Sequence, residues 1–204
     1  MSDFTINRAF DYLENNTSNV QATLWGHGGV GKTAAVQYVC DSIFHGRVSE
    51  KNRFKYVIFT TAKDRKFDPK SGEIVKLENL RTYADIIQQI MLLVFEEKVE
   101  DDPKSIIECE ERIAQIEDRF LLVVDDYETY SDTDKQSIQE FINRLNINYH
   151  RVIITTRNKK LANGIPIQTS EFNEDDTINF FKNIVSCEFP KYIKNYNDRF
   201  GLEY

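Results

Sequence analysis

GHGGVGKT, Gly26 to Thr33, packs four glycines into eight residues and closes on Lys-Thr. An apolar run, VQATLW (Val20 to Trp25), leads into it. A segment with helical spacing leads out: in AAVQYVCDSIF (Ala34 to Phe44), Val36, Val39, Cys40 and Ile43 recur three and four apart. Strand, glycine loop and helix in this order are the setting of a phosphate-binding loop, and Gly26, Gly31, Lys32 and Thr33 stand at the fixed positions of G-x-x-x-x-G-K-[ST]. A triphosphate lies against backbone N–H groups, so the loop needs unusual backbone angles and little side-chain bulk. The helix start adds free N–H groups and a positive dipole end. Lys32 brings an ammonium to the β and γ phosphates, and Thr33 offers a hydroxyl to Mg²⁺. His27 and Val30 are the variable positions, and His27 reads as a solvent-facing loop histidine.

Outward from the loop, apolar patterns alternate between strand and helix. FTINRAFDYLEN is a short amphipathic helix with Phe4, Ala9, Phe10 and Leu13 on its apolar side. FKYVIFTTA (Phe54 to Ala62) is β-branched and aromatic, a second strand. A long polar stretch follows, with a small hairpin expected around Lys70 to Gly72. Helices are expected at Tyr83 to Phe95 and Lys104 to Asp118. RFLLVVDDYE holds a continuous apolar strand, Phe120 to Val124, of the kind buried on both faces of a parallel sheet. SDTDKQSIQEFINRLN is a helix capped by Ser131. RVIITTRN (Arg151 to Asn158) is a further buried strand, and IPIQTS a short fifth one. NEDDTINFFKNIV is a capped helix, and the tail after it is aromatic and charged. The alternation predicts an α/β fold, three layers α/β/α around a mostly parallel five-stranded sheet. Residues 1–19 lead into the domain, 20–186 form it, and 187–204 are a tail that starts a helical lid.

In such sheets ligands bind at the carboxyl ends of the strands, where the polar residues of this chain gather. Asp125, ending its apolar strand, suits Mg²⁺. Asp126 either polarises the attacking water or caps the turn. Arg157 either reaches the γ-phosphate or forms a surface salt bridge. Thr155 and Thr156 either orient water or cap their strand.

The composition narrows the classes. The 204 residues carry a formal net charge of −7 and are 41% hydrophobic, enough for a packed core and against non-specific nucleic-acid binding by the segment. Three distant cysteines, Cys40, Cys109 and Cys187, suit neither a zinc site nor a disulfide framework. No run approaches the ~20 apolar residues of a membrane span, and the chain reads as a soluble cytoplasmic protein.

Taken together, GHGGVGKT, FLLVVDDYE and RVIITTRN resemble the nucleotide-binding domain of the STAND NTPases, specifically the NB-ARC group, over roughly Val20 to Val185. The loop matches that group's pattern at Gly28, Gly29 and Val30 as well as at the generic positions. The resemblance implies an ATP/ADP switch with Mg²⁺. ADP is held at rest and exchanged for ATP when a sensor domain meets its ligand. Homo-oligomerisation then activates an effector, in immunity, cell death or antiviral defence. It implies nucleotide contacts from Gly26, Gly28, Gly29, Val30, Gly31, Lys32, Thr33, Ala34 and Arg157. It implies Mg²⁺ at Thr33 and Asp125, and hydrolysis supported by Lys32, Asp126 and Arg157. Ile6-Asn7-Arg8 departs from the group's Val/Ile-Gly-Arg segment. The group's Gly-x-Pro helical segment and winged-helix histidine find no match after Val185, so the chain reads as a nucleotide-binding core without its lid. An AAA-type cycling ATPase would need an arginine finger, for which Arg65, Arg81 and Arg144 qualify by residue type. A non-hydrolysing binding module is the other alternative.

Overall fold

The computed structural model describes residues 3–46, 48–62, 65–68, 73–76 and 82–169. Among these, five strands make one sheet in the order β2-β5-β6-β1-β7. They are β1 (Gln21–Trp25), β2 (Tyr56–Thr61), β5 (Phe120–Asp125), β6 (Arg151–Thr156) and β7 (Ile165–Gln168). Every neighbouring pair is parallel, so the sheet is parallel throughout. Parallel pairing requires crossovers, and helices supply them on both faces. β3 (Arg65–Asp68) and β4 (Glu73–Lys76) form a separate antiparallel hairpin around the predicted turn, and the four residues between the strands lie outside the described ones.

The two faces of the sheet divide the strand residues by their period of two. Leu121 and Val123 of β5, Ile153 of β6 and Leu24 of β1 pack against α1 (Asp3–Asn15) and α2 (Lys32–Phe44). Leu122 and Val124 of β5, with Val152 and Ile154 of β6, face the other side. There they meet α3 (Tyr83–Phe95), α4 (Pro103–Ala114) and α5 (Asp132–Arg144). β5 and β6 are buried along their whole length, as their unbroken apolar runs require.

The helix starts follow the capping rules. Thr82 and Asp85 form a capping box at α3, Asp102 accepts from the Lys104 and Ser105 N–H groups ahead of Pro103 at α4, and Ser131 accepts from Asp134 N–H at α5. Two expectations are corrected. Phe4 does not join the core: it is 60% exposed, and Ala9, Tyr12 and Leu13 carry the buried side of α1. The helix expected to reach Asp118 stops at Ala114, where Gln115 and Ile116 bond back three residues to Arg112 and Ile113 and tighten the last turn. The expected α/β fold around a parallel five-stranded sheet is borne out. The helix expected over NEDDTINFFKNIV, the tail and Cys187 lie outside the described residues, as do Arg81 and the side chain of Arg65. Arg144 is engaged in an ion pair with the buried Glu110 of α4. No helix among the described residues is long and apolar enough to cross a membrane.

Candidate functional site

The glycine loop leaves the carboxyl end of β1 and turns directly into α2. Gly29 and Gly31 adopt left-handed backbone angles, φ 83° and 85°, which a side chain would strain. Gly26 is required for a different reason. A Cβ there would press on the Thr169 hydroxyl and lie 2.8 Å from its carbonyl oxygen. Gly31 caps α2 without a side chain, and the first helical bond runs from Ala35 N–H to the Gly31 carbonyl, 2.8 Å. The N–H groups of Lys32, Thr33 and Ala34 therefore precede any intrahelical partner, the arrangement that receives an anion.

Lys32 is only 8% exposed although it is a lysine. Its Nζ donates to the Gly26 carbonyl (2.8 Å) and the His27 carbonyl (2.7 Å), so the ammonium sits inside the loop. Burial pulls its pKa below the usual lysine value, and the Arg157 charge adds to this. The carboxylates of Glu128, Asp126 and Asp125 act in the opposite sense. His27 is exposed and contributes its backbone here.

Asp125 is the buried acid of the site, 1% exposed at the end of β5. Its Oδ1 accepts from the hydroxyls of Thr155 (2.6 Å) and Thr33 (2.9 Å). Its Oδ2 accepts from Thr61 (3.2 Å) and Thr33 (3.2 Å). Thr155 also accepts from the Asp126 N–H at 3.0 Å, so this hydroxyl ties the β5 end to β6. Thr155 thus holds the acid, a role outside the two expected of it. Thr156 accepts from Asn158 N–H at 3.1 Å and serves the turn. Thr33 and Asp125 provide hard oxygen donors, which suit Mg²⁺ held jointly with phosphates. Among the described residues no group of three or more His, Cys, Asp or Glu is arranged to hold a metal alone.

Asp126 takes a left-handed conformation, φ 62°, and turns the chain into a short 3-10 helix, Tyr127–Thr129. This turn brings Glu128 to the loop. Its carboxylate lies 3.3 Å from Arg157 Nε and is the largest charge acting on Lys32. Glu128 was missed by the sequence reasoning. Its only signal was an acid close behind the Asp pair, and its place at the loop depends on the left-handed turn at Asp126. Arg157 is exposed, and its guanidinium covers Gly28, where an added Cβ would lie 3.4 Å from Nη1. The structure thus brings Lys32, Thr33, Asp125, Asp126, Glu128 and Arg157 to one end of the sheet. Val30 and Ala34 line the loop and helix start by backbone.

Comparison with known proteins gives the same fold. Cdc6p from Pyrobaculum aerophilum is similar with a TM-score of 0.60 at 13% identity, over 87% of this chain and 47% of that one. The Aeropyrum pernix Orc1 protein, solved in complex with DNA, gives 0.56 at 12% over 89% and 48%. Domain III of the Thermotoga maritima replication initiation protein DnaA gives 0.55 at 12% over 91% and 69%. The chain spans about half the length of the two archaeal proteins. No curated protein matches it in sequence. One family model does match, that of the NACHT domain, over residues 21–186. NACHT stands in the same STAND class as the NB-ARC group that the three motifs resemble. This chain belongs to the NACHT domain family, a STAND-class family of P-loop NTPases.

Proposed function

We propose that this chain is an ATP/ADP switch domain that hydrolyses ATP slowly with Mg²⁺, and that the bound nucleotide gates homo-oligomerisation and effector signalling of the defence type. The observation that carries this reading is the join between loop and strand: Thr33 of the phosphate loop bonds to Asp125 while Lys32 is held inside the loop. In this reading the N–H groups of Gly28 to Ala34 and the Lys32 ammonium hold the β and γ phosphates. Thr33 and Asp125 hold Mg²⁺, which when bound neutralises charge on the phosphate oxygens. Water attacks the γ-phosphorus, the bond to the bridging β-phosphate oxygen breaks, and ADP and phosphate leave. Asp126 takes the proton of that water, with Glu128 as the second carboxylate within the site. Arg157 moves from Glu128 to the terminal phosphate and so distinguishes ATP from ADP.

The reading places residues 20–186 as the working domain, in the cytoplasm, with sensor and effector functions on other segments or partners. The net charge of −7 argues against non-specific nucleic-acid binding by this segment. The test is a titration with ATP and ADP, with and without Mg²⁺, and phosphate release followed in the same samples. Mg-dependent binding of both nucleotides with slow release is expected. Binding without release in the oligomeric state would reduce the domain to a passive nucleotide binder. Rapid continuous turnover would make it a cycling ATPase instead.

A further inference from the structure

Three strand ends stand side by side beneath the start of α2. In the β2–β5 register Thr61 is the partner of Asp125, and Thr155 follows the β5–β6 pair Val124–Ile154 by one residue. Parallel neighbours in register project to the same face. Thr61, Asp125 and Thr155 therefore continue the face of Phe59, Val123 and Ile153, the face that α2 covers. The result is one strand-borne hydroxyl on each carboxylate oxygen: Thr155 on Oδ1 and Thr61 on Oδ2. Thr33 bonds to both oxygens from the helix side.

These hydroxyls are not equivalent. Thr33 belongs to the loop, and a cation that takes its oxygen as a ligand competes with its bonds to Asp125. Thr61 and Thr155 belong to the sheet and have no such duty. The terminal torsion of an aspartate is broad, so a single fixed oxygen leaves the carboxylate plane free to turn. Two fixed oxygens define it.

We propose that Thr61 is a positioning residue of the Mg²⁺ site, holding Oδ2 of Asp125 so that the carboxylate keeps its orientation when Thr33 turns to the cation. This rests on the reading of Thr33 and Asp125 as the Mg²⁺ ligands. Thr61 acts through Asp125 and on the metal-dependent part of binding only.

The experiment compares ADP affinity in Mg²⁺ and in EDTA for wild type, Thr61→Val, Thr61→Ser and Asp125→Ala. Valine is β-branched and close in volume, suits a strand, and removes only the hydroxyl; thermal melts check folding. The gain in affinity from Mg²⁺ should fall about tenfold in Thr61→Val, as expected for one hydrogen bond to a charged group. Affinity in EDTA should stay at the wild-type value, and Thr61→Ser should restore the gain. An unchanged gain in Thr61→Val, an equal loss in EDTA, or a serine variant that behaves like valine would overturn the proposal. A wild type with no Mg²⁺ gain, or a gain that survives Asp125→Ala, would overturn the metal-site reading and this proposal with it.

Discussion

Lowering the pH from 7 to 5 should destabilise this domain by about 2 kcal/mol through one side chain, His150, beyond whatever the carboxylates contribute. His150 sits at the entry to β6, fully buried, its ring stacked on Phe120 with centroids 4.0 Å apart. Burial lowers its pKa from 6.5 to about 4, and the charges of Arg119 and Arg151 push the same way, against a backbone contact from Ile116. The folded state therefore keeps the ring neutral where the unfolded chain, with an ordinary histidine, takes up a proton. Stability is full above pH 6.5, falls as the pH drops from 6.5 towards 4, and loses nothing more from this group below that. The whole interval of about 2.5 units corresponds to about 3 kcal/mol at 1.36 kcal/mol per unit, and the part between pH 7 and 5 to about 2 kcal/mol. Urea unfolding at both pH values measures it. His150→Phe and His150→Asn change the absolute stability by their own packing effects, but the carboxylate contributions are common to all three proteins and cancel in the comparison. In each variant the drop between pH 7 and 5 should shrink by about 2 kcal/mol. Variants that keep the full wild-type drop would show that His150 titrates normally and that the stacked, buried geometry is wrong.

Lys32→Ala should abolish triphosphate binding while leaving the thermal melt of the domain in place, as isothermal titration and calorimetry would register; retained affinity would remove the loop from the phosphate site. Gly31→Ala, at φ 85°, should cost about 1–2 kcal/mol in chemical denaturation and weaken nucleotide binding as well, since the αL turn sets the first N–H groups of α2. Arg157→Ala should weaken ATP more than ADP; an equal loss would leave Arg157 as the surface partner of Glu128 only. Asp126→Asn and Glu128→Gln should bind ATP and differ in phosphate release. The variant with the larger loss identifies the carboxylate that takes the proton.

Much of this architecture is written in local pattern. The unbroken apolar runs of β5 and β6 announced buried parallel strands, and the glycines of the loop announced the site, because both signals are contiguous in sequence. Phe4 was misread because it was grouped with Ala9 and Leu13 for being apolar: at about 3.6 residues per turn it lies roughly half a turn away from both, on the side of α1 that is exposed. Thr61 and Thr155 acquire their roles from strand register, which joins residues 30 to 64 positions apart and leaves no local trace. Glu128 depended on the left-handed turn at Asp126, an unusual conformation for a residue other than glycine.

The space that Gly26 leaves open is filled by Thr169, the last described residue of the chain. Thr169 also returns both its N–H (2.8 Å) and its hydroxyl (3.0 Å) to the carbonyl of Trp25, the residue just before the loop. The chain thus departs from the sheet riveted to the entrance of the phosphate loop. A displacement of Thr169 reaches Gly26 directly, through their close approach and the two bonds to Trp25, and a shift of the loop reaches Thr169 by the same contacts. The pivot of this contact is a glycine that admits no methyl group.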